Sequence, residues 1–452
     1  MTSNVKIPSD EKLRGWVRNC DPQRPIDHPD DPFYVPFDGD SSLRGSDHIA
    51  GLYDTIALSE AHSCQLFSGF SGTGKSTELW RLTHLLEEKG FVVLLVNSSD
   101  YHDLNHALTI EDLMVIVAGS FAEATDRALG RASTTATASY WDRFQAFLDR
   151  EVQLDIKIPT GVADLRLGIK HAKEFWLKVR EALASSPSRL KAHCHSEIQR
   201  HVAELTKAKR PTRGVVFIFD NLEKLSSDLF KFREVMASIV QVLTDYPDFL
   251  RLPDCHVIYT IPPYVQLVQP NLKAQYDRTS LVLPAVKVLE PGEDHEPFGP
   301  GVAALRDLVS KRIDLDEVFG DRLDLLDQLI RYSGGHIRTL ITFVRDLVYD
   351  ARRQGLPTTD AAIERVVQPF REQAGLSIWR ESVPLLERIL NTGSLEGLAH
   401  DEYPYLAHLM DNYVVLCYRN GDGWYEVHPL VRDTVRRLAE DHTADRSELD
   451  TR

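Results

Sequence analysis

The stretch Gly69-Phe70-Ser71-Gly72-Thr73-Gly74-Lys75-Ser76 decides how the rest of the chain is read. It fits G-x-x-x-x-G-K-[ST] at every fixed position. Glycines let backbone N–H groups turn around a phosphate where a side chain would clash. Lys75 offers a cation to the β- and γ-phosphates, and Ser76 offers a hydroxyl to Mg²⁺. A helix beginning near Lys75 points its positive end at the same anion. Gly69, Gly72, Thr73, Gly74, Lys75, Ser76 and Thr77 are therefore the expected contacts to ATP or ADP.

Outward from this loop, five short apolar runs have strand character: CQLFSG, FVVLLVNS, VVFIFDN, HVIYTI and SLVLPAV. Helical stretches separate them, the pattern of a parallel sheet covered on both faces. The expected fold class is α/β, a P-loop NTPase with a parallel five-stranded core. Asp220 ends the run Val215–Phe219, at the strand edge where ligands sit in such sheets, and with Ser76 it is assigned to Mg²⁺. Asn221 follows, where many hydrolysing ATPases place a glutamate. Glu223 is the candidate substitute, its alternative reading being a carboxylate at a helix N-terminus. Slow hydrolysis is the expectation.

The chain has 452 residues, a prior of about three domains. Lys and Arg number 52 against 67 Asp and Glu, a formal charge of −15, with 43% hydrophobic residues. This composition excludes a disordered or collagenous chain, and no apolar run approaches the roughly 18 to 20 residues of a membrane span. The N-terminus lacks the apolar stretch of a secretory signal, and five scattered cysteines make no disulfide framework. A cytoplasmic protein without a membrane partner is expected. The acidic balance disfavours non-specific nucleic-acid binding by the whole surface.

Composition divides the chain further. Residues 1–43, rich in Pro and Asp, read as an extended leader. The ATPase core spans 44–290, with an insertion at about 131–210 that contains a hairpin (VQLDIKI, then VADLRLGIK) and a long polar helix. On that helix His193, Cys194 and His195 point to different faces, which favours a polar face over a metal set. An all-α lid follows at 301–372. A winged helix at 376–440 ends in two strands joined by Asn420-Gly421-Asp422-Gly423, and 441–452 is a charged tail.

The order of these motifs resembles the AAA+ and STAND branches of the P-loop ATPases over about residues 44 to 440. The resemblance implies a sensor 1 residue at Thr260, beside Tyr259, and an arginine finger at Arg278. It implies a sensor 2 arginine at Arg338, in SGGHIRTLITFVRDL. WYEVHPLVRDTVRRLA resembles the histidine-bearing motif of the STAND winged helix, so that His428 would read the β-phosphate of ADP, although Val427 and Pro429 depart from the family's Met and Asp. Arg44-Gly45 lies where related ATPases meet the adenine.

Two functions follow. One is a nucleotide switch, closed by ADP and released by ATP to oligomerise. GFSGTGKSTELWRL resembles bacterial ATPases of antiphage defence, which implies an effector or sensor on a partner chain encoded nearby. The alternative is a DNA-handling AAA+ ATPase resembling replication initiators or transposition regulators. Between Leu376 and Glu440 six basic residues face ten acidic ones, and YPYLAHLMDN, the candidate reading helix, has no Lys or Arg. That charge favours the switch over nucleic acid.

Overall fold

The computed structural model describes residues 6–28, 30–37, 39–101, 107–131, 136–152, 173–184, 187–222, 229–292, 295–419 and 423–450. The hairpin expected in the insertion, apart from Val152, lies outside these residues, as do Glu223 and the turn residues 420–422. The chain forms two compact units. One holds Met1–Asp47, Gly69–Thr77 and Leu283–Arg452; the other holds His48–Ser68 and Glu78–Val282.

The second unit is built on the sheet. Strands β1 (Cys64–Gly69), β2 (Phe91–Asn97), β3 (Gly214–Asp220), β4 (His256–Ile261) and β5 (Arg278–Leu283) lie in the order β2-β3-β4-β1-β5. The pairings β1 with β4, β4 with β3 and β3 with β2 are all parallel. Val215 to Phe219 are wholly buried, as an unbroken Val/Ile/Phe run in a central parallel strand must be. This is the parallel five-stranded core expected from the apolar runs.

The insertion is part of the core rather than an appendage. Helix Ile110–Ala128 is buried around its whole circumference from Ile110 to Asp126. Helices Ala136–Phe147, Lys173–Leu183 and Pro187–Ala208 cover it. The polar helix expected here therefore has an apolar seam: Cys194 and His201 are buried, and the His193 ring stacks on Phe147 with centroids 4.4 Å apart. Arg180 of helix Lys173–Leu183 forms an ion pair with the buried Asp112 of helix Ile110–Ala128.

The other unit contains the lid and the winged helix. Helix Ile337–Gln354 buries Leu340, Phe343, Val344, Leu347, Val348 and Ala351, the i, i+3, i+4, i+7 stripe of an amphipathic helix. Helices Gly299–Ser310, Leu323–Tyr332 and Asp360–Leu376 complete the lid. In the winged helix, Val383–Thr392 and Tyr403–Asp411 precede an antiparallel pair, β6 (Val415–Arg419) and β7 (Gly423–Val427), and Arg432–Asp450 follows. Among the described residues no helix is long and apolar enough to cross a membrane.

The leader differs from expectation. Asp10–Asn19 is a helix, N-capped by Ser9, that buries Leu13 and Trp16 against the lid helix Ile337–Gln354. Its apolar residues, Leu13, Trp16 and Val17, fill one turn among charged neighbours, too short a run to register as a helical period. Because Trp16 is 6% exposed, Trp16→Ala should cost about 3 kcal/mol or more in denaturant unfolding. A loss below about 1 kcal/mol, the range of ordinary surface changes, would contradict this packing.

Candidate nucleotide site

Every backbone carbonyl from Gly69 to Thr73 accepts a hydrogen bond. The Lys75 ammonium folds back onto the carbonyls of Gly69, at 2.8 Å, and Phe70, at 3.0 Å. His336 Nε2 donates to the carbonyl of Ser71 at 2.6 Å. The backbone N–H of Arg338 donates to that of Gly72 at 3.2 Å, and Arg44 Nη2 to that of Thr73 at 2.7 Å. In a trans peptide the N–H of the next residue points opposite to the carbonyl. Fixing the carbonyls of Ser71 and Thr73 on outside donors therefore turns the amides of Gly72 and Gly74 the other way.

Glycine is required at this approach. Gly72 has φ +80°, and a Cβ there would stand 2.7 Å from the His336 ring. Gly335, at φ +72°, presses on the Val286 carbonyl, where a Cβ would come within 1.7 Å. That contact seats the lid turn and places His336 at the N-cap of its helix, Nδ1 accepting from the Thr339 N–H at 3.3 Å. Because the Ser71 carbonyl only accepts, Nε2 must carry the proton.

Burial, aided by the neighbouring Arg338, Lys75 and Arg44 cations, lowers the His336 pKa to about 4, so the ring is neutral near pH 7. Arg338 also donates to Ser71 Oγ at 3.0 Å. Arg44 is 1% exposed, its guanidinium 4.6 Å over the Phe37 ring. Ser76 is exposed in the first turn of helix Lys75–Glu88, with Thr77 beside it, and Gly45 abuts the Arg419 carbonyl. His428 is fully buried, its ring 4.7 Å from Phe370 and its Nδ1 accepting from the Leu430 N–H. Burial above all lowers its pKa to about 3.

The sheet unit carries a second cluster at the carboxyl ends of three adjacent strands. The Asn221 N–H donates to Asp220 Oδ1 and to Thr260 Oγ1, each at 2.8 Å. Asn221 takes φ 71°, and its Nδ2 donates to Asn97 Oδ1 at 2.9 Å. Asp220 is 5% exposed, a hard oxygen ligand at a strand end. Asn221, an amide, can orient a partner but cannot take a proton. Arg278 opens β5 on the surface, its guanidinium lying against Gly51.

Sequence reasoning missed two of these residues. Asn97 ends the run FVVLLVN, the place where Asp220 was found on its own strand. His336 stands two residues before Arg338, between a glycine pair and an amphipathic helix, a cap position that could have drawn attention.

The architecture is a P-loop core, a helical lid and a winged helix. No protein-family model matches the chain, and no curated protein matches it. Among solved structures it is similar to the Aeropyrum pernix Orc1 protein in complex with DNA, at 14% identity over 96% of this chain and 97% of that one, TM-score 0.39. It is also similar to Cdc6p from Pyrobaculum aerophilum, at 13% identity over 96% and 99%, TM-score 0.35. A third is the Aeropyrum pernix ORC2 protein in its ADPNP–ADP complexes, at 14% over 93% and 98%, TM-score 0.37.

The buried neutral histidines set a pH dependence. Folded pKa values of about 4 for His336 and about 3 for His428 lie below the ordinary 6.5, so the unfolded chain binds protons first. Stability is full above pH 6.5 and falls as the pH drops toward 4. At pH 5 each histidine should remove about 2 kcal/mol relative to pH 7. Urea unfolding at the two pH values checks this, and equal midpoints would contradict it.

Proposed function

We propose that this chain binds ATP and ADP with Mg²⁺ at the phosphate loop and acts as a slowly hydrolysing nucleotide switch. The observation that carries the reading is the capture of the loop carbonyls, which leaves the Gly72 and Gly74 amides directed away from the donors. Amides so turned, with Lys75, Arg44 and Arg338 nearby, make a cradle for an anion. The Ser76 hydroxyl and the Asp220 carboxylate are each a hard oxygen of the kind Mg²⁺ takes, and the ion would supply charge neutralisation on the phosphates.

The chain's own residues account for slow turnover. Asn221 holds the position of a general base without being able to accept a proton, and Asn97 and Thr260 fix it there. Arg44-Gly45 is assigned to the base end of the nucleotide. Arg338 is assigned to the phosphates, as a charge delivered by the lid. Arg278 serves as the candidate finger toward a second copy, and His428 supports the lid in the ADP-closed state.

Of the two outputs, DNA handling has a counterpart among the similar solved structures, since the Aeropyrum pernix Orc1 protein was solved with DNA. The antiphage effector has none. The winged helix limits how DNA would be met. Leu406 to Met410 of the candidate reading helix are all buried, and Trp379 stacks on His408 at 3.8 Å. Duplex contact would fall instead to helix Arg432–Asp450, where Arg436 and Arg437 are exposed.

Purified protein should retain ADP or ATP, and Lys75→Ala should abolish retention; unchanged nucleotide content in the variant would overturn the reading. Duplex binding through two arginines should show a shallow slope of log K against log salt, about −2, and Arg436→Ala with Arg437→Ala should remove it. No duplex binding at low salt would return the output to a partner protein.

A further inference from the structure

The winged helix touches the same lid turn that holds the phosphate loop. Tyr418, fully buried on β6, donates its hydroxyl to the Gly334 carbonyl at 2.6 Å. Tyr413, at the end of helix Tyr403–Asp411 and at φ 58°, lays its ring 4.4 Å from the His336 ring. Gly334 and His336 flank Gly335, whose carbonyl accepts from the Val286 N–H at 3.1 Å. Tyr418 bonds Gly334, the backbone runs on through Gly335 to His336, and His336 bonds Ser71.

We infer that His336 is a positioning residue of the phosphate loop, and that the winged helix sets it through Tyr418 and Tyr413. The inference rests on the nucleotide-binding reading for its purpose, but its geometry does not depend on bound nucleotide. A winged helix that swings away removes the Gly334 hydrogen bond and the ring behind His336. The Ser71 carbonyl is then free to turn, and the Gly72 amide turns with it. Movement of the winged helix on a partner or on DNA would thus reach the loop as a loss of phosphate affinity.

Two roles of the imidazole can be separated by substitution. As an N-cap it accepts from Thr339, a task that Asn performs well and Gln poorly. As the holder of Ser71 it donates from the Nε position, which Gln reaches and Asn does not. Hydrogen exchange of the peptide covering residues 69–77, measured on the nucleotide-free full chain, reads the loop directly.

His336→Asn should speed exchange there several-fold, His336→Gln should stay near wild type, and Tyr418→Phe should speed it in the same direction. Rescue by Asn but not by Gln would make the residue a cap alone and overturn the inference. Unchanged exchange in both His336→Asn and Tyr418→Phe would overturn it as well. Failure of nucleotide retention in the wild type is a separate result, seen without these variants.

Discussion

The phosphate loop is held from outside by its carbonyls. A glycine-rich loop has little conformational preference of its own, and ordering it costs more backbone entropy than any other composition. Here Lys75, His336, Arg338 and Arg44 each take a carbonyl. Planarity of the peptide converts those bonds into a direction for the amides on the other side. The loop's readiness for an anion therefore depends on residues far from it in sequence.

That dependence makes sense of several features that look unrelated. Gly335 must approach the Val286 backbone closely for the lid turn to seat, and Gly72 must lack a side chain for His336 to reach the loop. The imidazole must stay neutral so that Nδ1 can accept from Thr339 while Nε2 donates to Ser71, and burial, aided by three nearby cations, keeps it so. Tyr418 and Tyr413 back the same turn from the winged helix. The winged helix thus packs on the lid turn that holds the loop. Its candidate reading helix, buried from Leu406 to Met410, is committed to packing rather than to a groove.

Much of this was legible in the sequence, and the reason is local. The loop motif is eight consecutive residues, and the strands are unbroken apolar runs whose order with the helices gives a parallel sheet. Asp220 is legible because it is an acidic residue set directly after an unbroken apolar run, Val215–Phe219. What escaped was non-local. His336 and Ser71 are 265 positions apart, and nothing beside either names the other. The helix Asp10–Asn19 hid because its apolar face is one turn long, Leu13, Trp16 and Val17, and finds its partner in the lid. The insertion helix read as polar because its buried face is made of Cys194, His201 and aliphatic residues spaced among charges.

The most direct measurement is an NMR titration of the full chain with ADP and Mg²⁺, following the amide signals of Gly72 and Gly74 and the Nε2–H of His336. The account predicts that both glycine amides shift strongly downfield and saturate at one equivalent, while His336 keeps its neutral Nε2–H tautomer. Glycine amides that do not move, or a histidine that loses its Nε2 proton or its bond to Ser71 as nucleotide binds, would contradict it.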